Sequence, residues 1–257
     1  MSPSGARELG RAFEDADVVR NYRYRQPYPS ETFDILEGLL VEPRNVLDAG
    51  SGTGALTIGL ARFAERVDAV DPSAAMLREA RRVPGGDSER IRWTQGTAET
   101  APLDPPYGLI AAGQSIHWMD PDVVMPRFRE SLAPGAVLAI VNSESVYAAQ
   151  KWRDELIALI QEFSPIAHHL EFVDLVRSLE TSGHFTRQGE RTAAAVPYER
   201  SLDDYLATLA STSSLSRVTL GSRADDFERG VRAIFARHNL TSVRAEVLAE
   251  VVWGRPQ

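Results

Sequence analysis

Apolar positions recur along this chain with two different periods, and the switches between them predict an ordered series of strands and helices. Asn45-Val46-Leu47-Asp48-Ala49 is a short apolar run, and Ala55-Leu56-Thr57-Ile58-Gly59-Leu60-Ala61 follows it at helical spacing. Arg66 to Asp71 reads as a second strand, and Pro72-Ser73 opens a helix through Ala74, Met76, Leu77 and Ala80. Ile91 to Gln95 and Leu109 to Ala112 read as further strands. Pro121 to Leu132 reads as a helix, and Ala136 to Val141 is apolar throughout, as in a strand covered on both faces. Strands alternating with helices, joined by right-handed crossovers, predict an α/β fold with a parallel sheet.

Upstream, Ser30 is expected to cap a helix with Phe33, Leu36, Leu39 and Leu40 on one side. Downstream the alternation lengthens. Trp152, Leu156, Ile157, Leu159, Ile160 and Phe163 predict an amphipathic helix, and Leu170, Val173, Leu175, Val176 and Leu179 another. Phe185 to Val196 predicts a strand, Ser201 a capped helix start, and Phe227, Val231, Ile234 and Phe235 a last helix. Val243, Ala245, Val247, Ala249 and Val251 alternate up to Trp253 as a terminal strand. Thr208 to Ser216 is rich in hydroxyls and reads either as a solvated linker or as the polar rim of a pocket.

Composition narrows the picture. The 257 residues are expected to form one domain with added segments. A net charge of −8 argues against nucleic acid as the main partner. The chain has no cysteine, so disulfides and cysteine nucleophiles are excluded. No apolar run reaches the roughly 20 residues of a membrane-spanning helix. The opening residues Met1 to Gly5 lack the apolar stretch of a secretory signal, so a soluble cytoplasmic protein is the expectation. The pair His168-His169 with Glu171 is too compressed for metal ligation, and no metal is expected. The oligomeric state is not legible.

The candidate chemistry gathers where the strands end. Gly50, Gly52 and Gly54 alternate with Ser51 and Thr53 after Asp48, a turn that brings main-chain N–H groups close to a ligand. Asp71, next to Pro72, closes the second strand beside that turn, where it serves either as acceptor for the hydroxyls of a ribose or as a helix-start residue. Gly96-Thr97-Ala98-Glu99 after the third strand fits an adenine edge or an ordinary loop. Gln114-Ser115-Ile116-His117-Trp118 follows the fourth strand. His117 there is either a general base or a packed histidine, and Trp118 suits a substrate carboxylate or a core. Tyr22 to Pro29, aromatic, basic and broken by proline, is a structural clamp or a ligand-contacting strap through Tyr24, Arg25 or Tyr28.

Together, Asp48 to Gly54, Asp71, Gly96 to Glu99 and Gln114 to Trp118 resemble the class I S-adenosylmethionine-dependent methyltransferases, nearest to the small-molecule type 11 branch. Tyr24-Arg25-Gln26-Pro27-Tyr28-Pro29 resembles the entry segment of that branch's trans-aconitate and cantharidin methyltransferase relatives, with Gln26 where they carry proline. The resemblance covers residues 22–141 and the terminal strand. It implies a Rossmann-like class I methyltransferase fold, with a seven-stranded, mostly parallel sheet, an antiparallel last strand and helical lid insertions at about 142–182 and 200–240 in a single domain, 1–257. It further implies S-adenosylmethionine as cofactor. Asp48, Gly50, Ser51 and Gly52 would hold its amino-acid end, and Asp71 with Pro72 its ribose. Thr97, Ala98 and Glu99 would flank the adenine, Gln114 would border the methyl group, and Tyr24 and Arg25 would close the site.

The implied activity is methylation of a small molecule, with O-methylation of a carboxylate or hydroxyl the leading reading. His117 and Trp118 are then the residues that orient the acceptor or take its proton. A nicotinamide-dependent oxidoreductase is disfavoured because the turn is G-x-G-x-G, whereas the dinucleotide fingerprint carries its third glycine one residue later. A non-catalytic cofactor-binding protein is compatible with the same residues. Asp104-Pro105-Pro106-Tyr107 matches the tetrapeptide of amino-directed DNA methyltransferases but precedes the fourth strand instead of following it, and is read as a loop.

Overall fold

The computed structural model describes residues 10–148, 150–164 and 171–257. The runs of period two form strands β1 (Asn45–Ala49), β2 (Arg66–Asp71), β3 (Ile91–Gln95), β4 (Leu109–Gly113), β5 (Leu138–Val146), β6 (Phe185–Ser201) and β7 (Ser242–Pro256). They make one seven-stranded sheet in the order β3-β2-β1-β4-β5-β7-β6. The pairs β1–β2, β1–β4, β2–β3 and β4–β5 are parallel. Ser242 bonds Glu199 and Gln257 bonds His184, so β7 runs antiparallel to β6.

The chain divides into two compact units. The first to consider holds Pro27–Glu144, Leu170–Ala195 and Leu248–Gln257. Alternation along its strands feeds two separate apolar cores. Val46, Leu109, Ala111, Ala139 and Val141 face one side, packed with Leu36, Leu56 and Leu60 from the helices Ser30–Leu39 and Ala55–Leu60. Leu47, Ile110, Ala112, Leu138 and Ile140 face the other, packed with Met125 and Phe128 of the helix Pro121–Ser131. Val176 and Leu179 of the helix Phe172–Thr181 join this second core, so that helix belongs with the sheet although its sequence falls in the expected first insertion. Both faces being covered explains why the central strands read as unbroken apolar runs.

The other unit comprises the described residues up to Gln26 with those of Ser145–His169 and Val196–Val247. Its core joins Trp152, Leu156 and Phe163 of the helix Lys151–Phe163 to Phe227, Val231, Ile234 and Phe235 of the helix Ala224–Arg237. The rings of Trp152 and Phe235 lie 5.4 Å apart. Ser201 caps the helix Leu202–Ala210 by accepting from the Asp204 N–H. Among the described residues, no helix is long and apolar enough to cross a membrane.

Several expectations change in detail. Ser30 is the first residue of its helix and makes no side-chain cap, because Pro29 occupies the cap position. Strand β5 continues through Asn142, Ser143 and Glu144, past the apolar run, since ladder pairing depends on backbone groups and not on side-chain polarity. Thr208 to Ser216 is no solvated linker: Ser211, Ser213 and Ser216 are buried. Their position is invisible to a polarity count because the hydroxyls bond locally, as Ser211 does to the Thr208 carbonyl at 2.7 Å. His168 and His169 lie outside the described residues.

Candidate functional site

The site grows from the end of β1. The strand drops into the glycine turn, where Gly50, Gly52 and Gly54 take φ values of 78°, 55° and 84°, a region that side-chain-bearing residues avoid. The N–H groups of Gly50 and Ser51 both donate to the Val70 carbonyl, at 2.8 and 3.0 Å, which pins the turn against β2. Gly50 has a second constraint, since a Cβ built on it would lie 2.4 Å from the Cβ of Ser115. The Ser115 hydroxyl in turn donates to the Ala49 carbonyl at 2.5 Å, locking the segment after β4 onto the turn after β1. Gly50→Ala is therefore expected to cost about 1–3 kcal/mol from overpacking and the left-handed backbone together. Chemical denaturation checks this, and an unchanged midpoint would show that the turn relaxes freely.

Two carboxylates lie beneath this turn. Asp48 is 1 % exposed. Its Oδ2 accepts from the Thr57 hydroxyl, while Oδ1 has no partner among the described residues. Burial pushes its carboxyl up to about 7, with the negative charge of Asp71 adding to the rise and the Thr57 hydrogen bond opposing it. Asp71 is also buried. Its Oδ2 accepts from the Gly52 N–H and its Oδ1 from the Ser73 N–H, each at 2.8 Å. Burial raises its pKa, and these two N–H donors pull it back down. The Ser51 hydroxyl is a second buried polar group here without a partner among the described residues. Buried polar groups left unpaired are uncommon, and two lie together at this turn.

The neighbouring strand ends complete the ring. Gly96 donates to the Asp71 carbonyl at 3.1 Å, so the turn after β3 starts beside Asp71. Within it Ala98 is buried and the Thr97 hydroxyl bonds that of Thr100 at 3.0 Å. Glu99 accepts from the Asp120 N–H at 3.0 Å, joining this turn to the segment after β4. Gln114 has φ 51°, uncommon for a residue with a side chain, and its amide donates to the Ser143 carbonyl. His117 and Trp118 follow in the short helical turn Ile116–Trp118, with His117 exposed and the two rings 4.8 Å apart. Pro72 sits between Asp71 and Ser73, and its carbonyl faces the Gln95 amide at 3.4 Å.

This arrangement, a glycine turn after β1, a carboxylate ending β2 and further turns at the same ends of β3 and β4, coincides with a family match. Residues 46–135 match the profile of the family described as methyltransferase domain. The chain has the Rossmann-like class I methyltransferase fold. An uncharacterized methyltransferase of Mycobacterium tuberculosis is 34 % identical over 161 residues, which are 62 % of this chain and 60 % of that protein. A presumptive type II methyltransferase from Anaeromyxobacter dehalogenans superposes with a TM-score of 0.66 at 26 % identity, covering 91 % of this chain and 99 % of that one. A Thiobacillus denitrificans methyltransferase solved with S-adenosyl-L-homocysteine shares the fold, with a TM-score of 0.50, 15 % identity and coverage of 93 % and 97 %.

Of the residues singled out from the sequence, the sheet unit brings together Asp48, Gly50, Ser51, Gly52, Asp71, Pro72, Thr97, Ala98, Glu99, Gln114, His117 and Trp118 around adjoining strand ends. Tyr24 and Arg25 fall in the helical unit. There the Arg25 guanidinium donates to the hydroxyl and carbonyl of Ser211 at 3.0 and 2.9 Å, and the Tyr24 carbonyl accepts from the Thr208 hydroxyl at 2.7 Å. Asp104 to Tyr107 lies at the start of β4, the opposite end of the strands from the glycine turn. Tyr107 is fully buried, and its hydroxyl donates to Asp68 at 2.8 Å while accepting from the Asp104 N–H at 2.9 Å. The tetrapeptide is thus a structural tether. Ser115 and Thr57 are the residues that sequence reasoning passed over. The glycine at position 50 is the one signal for Ser115, since a missing Cβ leaves room for a neighbour.

Proposed function

We propose that this chain transfers a methyl group from S-adenosylmethionine to a small molecule, and that the acceptor atom is an oxygen, foremost that of a small acid. The observation that carries the cofactor is the half-satisfied Asp48, a buried carboxylate with one open oxygen beneath a turn of positive-φ glycines. That oxygen suits the ammonium of an amino-acid moiety, and the unpaired Ser51 hydroxyl offers a further polar contact there. Asp71 has one N–H on each oxygen, so each retains a lone pair for a ribose hydroxyl. The residues present therefore fit the cofactor. When bound, it supplies an electrophilic methyl group on a sulfonium.

The chain's own task is then alignment. Gln114, fixed by the hydrogen bond its side-chain amide donates to the Ser143 carbonyl, borders the reacting position in this reading. An in-line displacement gains chiefly from holding acceptor and methyl at attack distance with water kept out. A carboxylate arrives deprotonated and needs orientation only, for which the Trp118 indole N–H is suited. A phenol or alcohol would also need a base, and His117 is the nearby group whose ordinary pKa allows it. The spacing of Gly50, Gly52 and Gly54 stands against a nicotinamide cofactor.

Turnover of methyl-labelled S-adenosylmethionine against a panel of small acids and phenols tests the activity. Label appearing in an alkali-labile ester is the expected result, and no transfer to any acceptor would leave a binding protein without chemistry. Once an acid is found, Trp118→Phe should raise its KM several-fold with kcat less affected. An unchanged KM would remove Trp118 from carboxylate recognition.

A further inference from the structure

The helical unit holds a cluster of charge that its own packing does not balance. Arg200 is 6 % exposed, a depth at which cations normally have an anionic partner. Its Nη1 donates to the Tyr24 carbonyl at 3.2 Å and to the Thr208 hydroxyl at 2.5 Å, both neutral acceptors. The guanidinium lies over the rings of Tyr198 and Tyr205, 4.4 and 5.7 Å from their centroids. Arg153 is arranged in the same way, 5.3 Å over the ring of Tyr147. The rings of Tyr147 and Tyr205 lie 6.3 Å apart and nearly perpendicular. Each phenol of this pair thus has a guanidinium over its ring, Arg153 over Tyr147 and Arg200 over Tyr205.

Three carboxylates close in sequence pair with other groups. Glu199 pairs with Arg244, Asp203 with Arg232, and Glu155 with Arg237 and His238. Among the described residues, no carboxylate lies within 4.0 Å of Arg153 or Arg200. Stacking on aromatic faces and two neutral acceptors replace only part of the hydration that a guanidinium loses on burial. Its planar fork retains donors matched to a carboxylate, and the phenols add hydroxyl donors beside it.

We propose that Tyr147, Arg153, Arg200 and Tyr205 form a binding site for a small carboxylate ligand. The choice of carboxylate over other oxyanions rests on the small-acid reading given above. The proposal accounts for two arginines that the described residues leave without an anionic partner within 4.0 Å.

Calorimetry on the full chain tests this, with acetate, succinate, citrate, uncharged succinamide and inorganic phosphate as titrants at low salt. At least one of the three acids should bind with a submillimolar Kd and succinamide should not. Arg153→Gln should weaken that acid tenfold or more, and Tyr147→Phe several-fold. Arg153 is only partly buried, so its variant is expected to fold, and the thermal midpoint verifies this beside the riskier Arg200→Gln. Acids binding no better than succinamide, binding of phosphate alone, or acid affinity unchanged in Arg153→Gln would each overturn the proposal. A parallel titration with S-adenosylhomocysteine separates the two readings. Acid binding without it keeps the carboxylate site and removes the methyltransferase reading, whereas S-adenosylhomocysteine binding without any acid does the reverse.

Discussion

Asp71→Ala should weaken S-adenosylhomocysteine binding by about 1.5–3 kcal/mol, the loss of charge-assisted hydrogen bonds to a ribose. The carboxylate already accepts from the Gly52 and Ser73 N–H groups, so its removal also orphans two buried donors. The apo protein should therefore lose stability as well, by about 1–3 kcal/mol for each donor that water cannot reach. Asp71→Asn separates the effects. It retains one acceptor oxygen and most of the packing, and should recover more of the stability than of the affinity. A dissociation constant unchanged in both variants, measured by calorimetry well below the unfolding midpoint, would take Asp71 out of the site.

For Asp48 the expected result has opposite signs in stability and in binding. Its folded pKa is raised from 3.8 to about 7. The folded chain therefore holds this proton over a range where the unfolded chain has released it. Its contribution to stability is complete below about pH 4, declines as pH rises, and is lost above about pH 7. Over that window the decline amounts to about 4 kcal/mol at most, since each pH unit between the two values is worth about 1.36 kcal/mol. Asp48→Asn removes the buried charge, so the apo variant should be more stable than the parent at pH 8 by about 2–4 kcal/mol, with the difference fading towards pH 4. Denaturant titrations at several pH values measure this. Cofactor binding should move the other way, because an ammonium at the open oxygen favours the ionised form. The parent's affinity should fall as pH drops below about 7, while the variant binds weakly at every pH. Equal stability of the two proteins at pH 8 would show that burial does not raise the Asp48 pKa in the apo state.

Much of the sheet unit is legible in the sequence because its elements obey one period at a time. Val46, Leu47, Ile110 and Ile140 sit in continuous apolar runs since both sheet faces are covered, and Gly50 and Gly52 mark backbone that only glycine adopts easily. The site residues on strand ends follow from that register. What the sequence hides depends on contacts distant along the chain. The fit of Ser115 against Gly50 joins residues on different strands. The burial of Ser211 is hidden because its partner Arg25 lies 186 residues away. The division into two units is hidden for the same reason, since the segment ending at Gln26 packs with residues beyond 200. The cluster around Arg200 escapes notice because arginine and tyrosine read as surface residues until burial shows otherwise.

The most direct test of the central claim is calorimetric titration of the full chain with S-adenosylhomocysteine and, separately, with NADH. Saturable 1:1 binding of S-adenosylhomocysteine in the micromolar range, with no heat from NADH, is the predicted result. Tight binding of NADH with none of S-adenosylhomocysteine would contradict it.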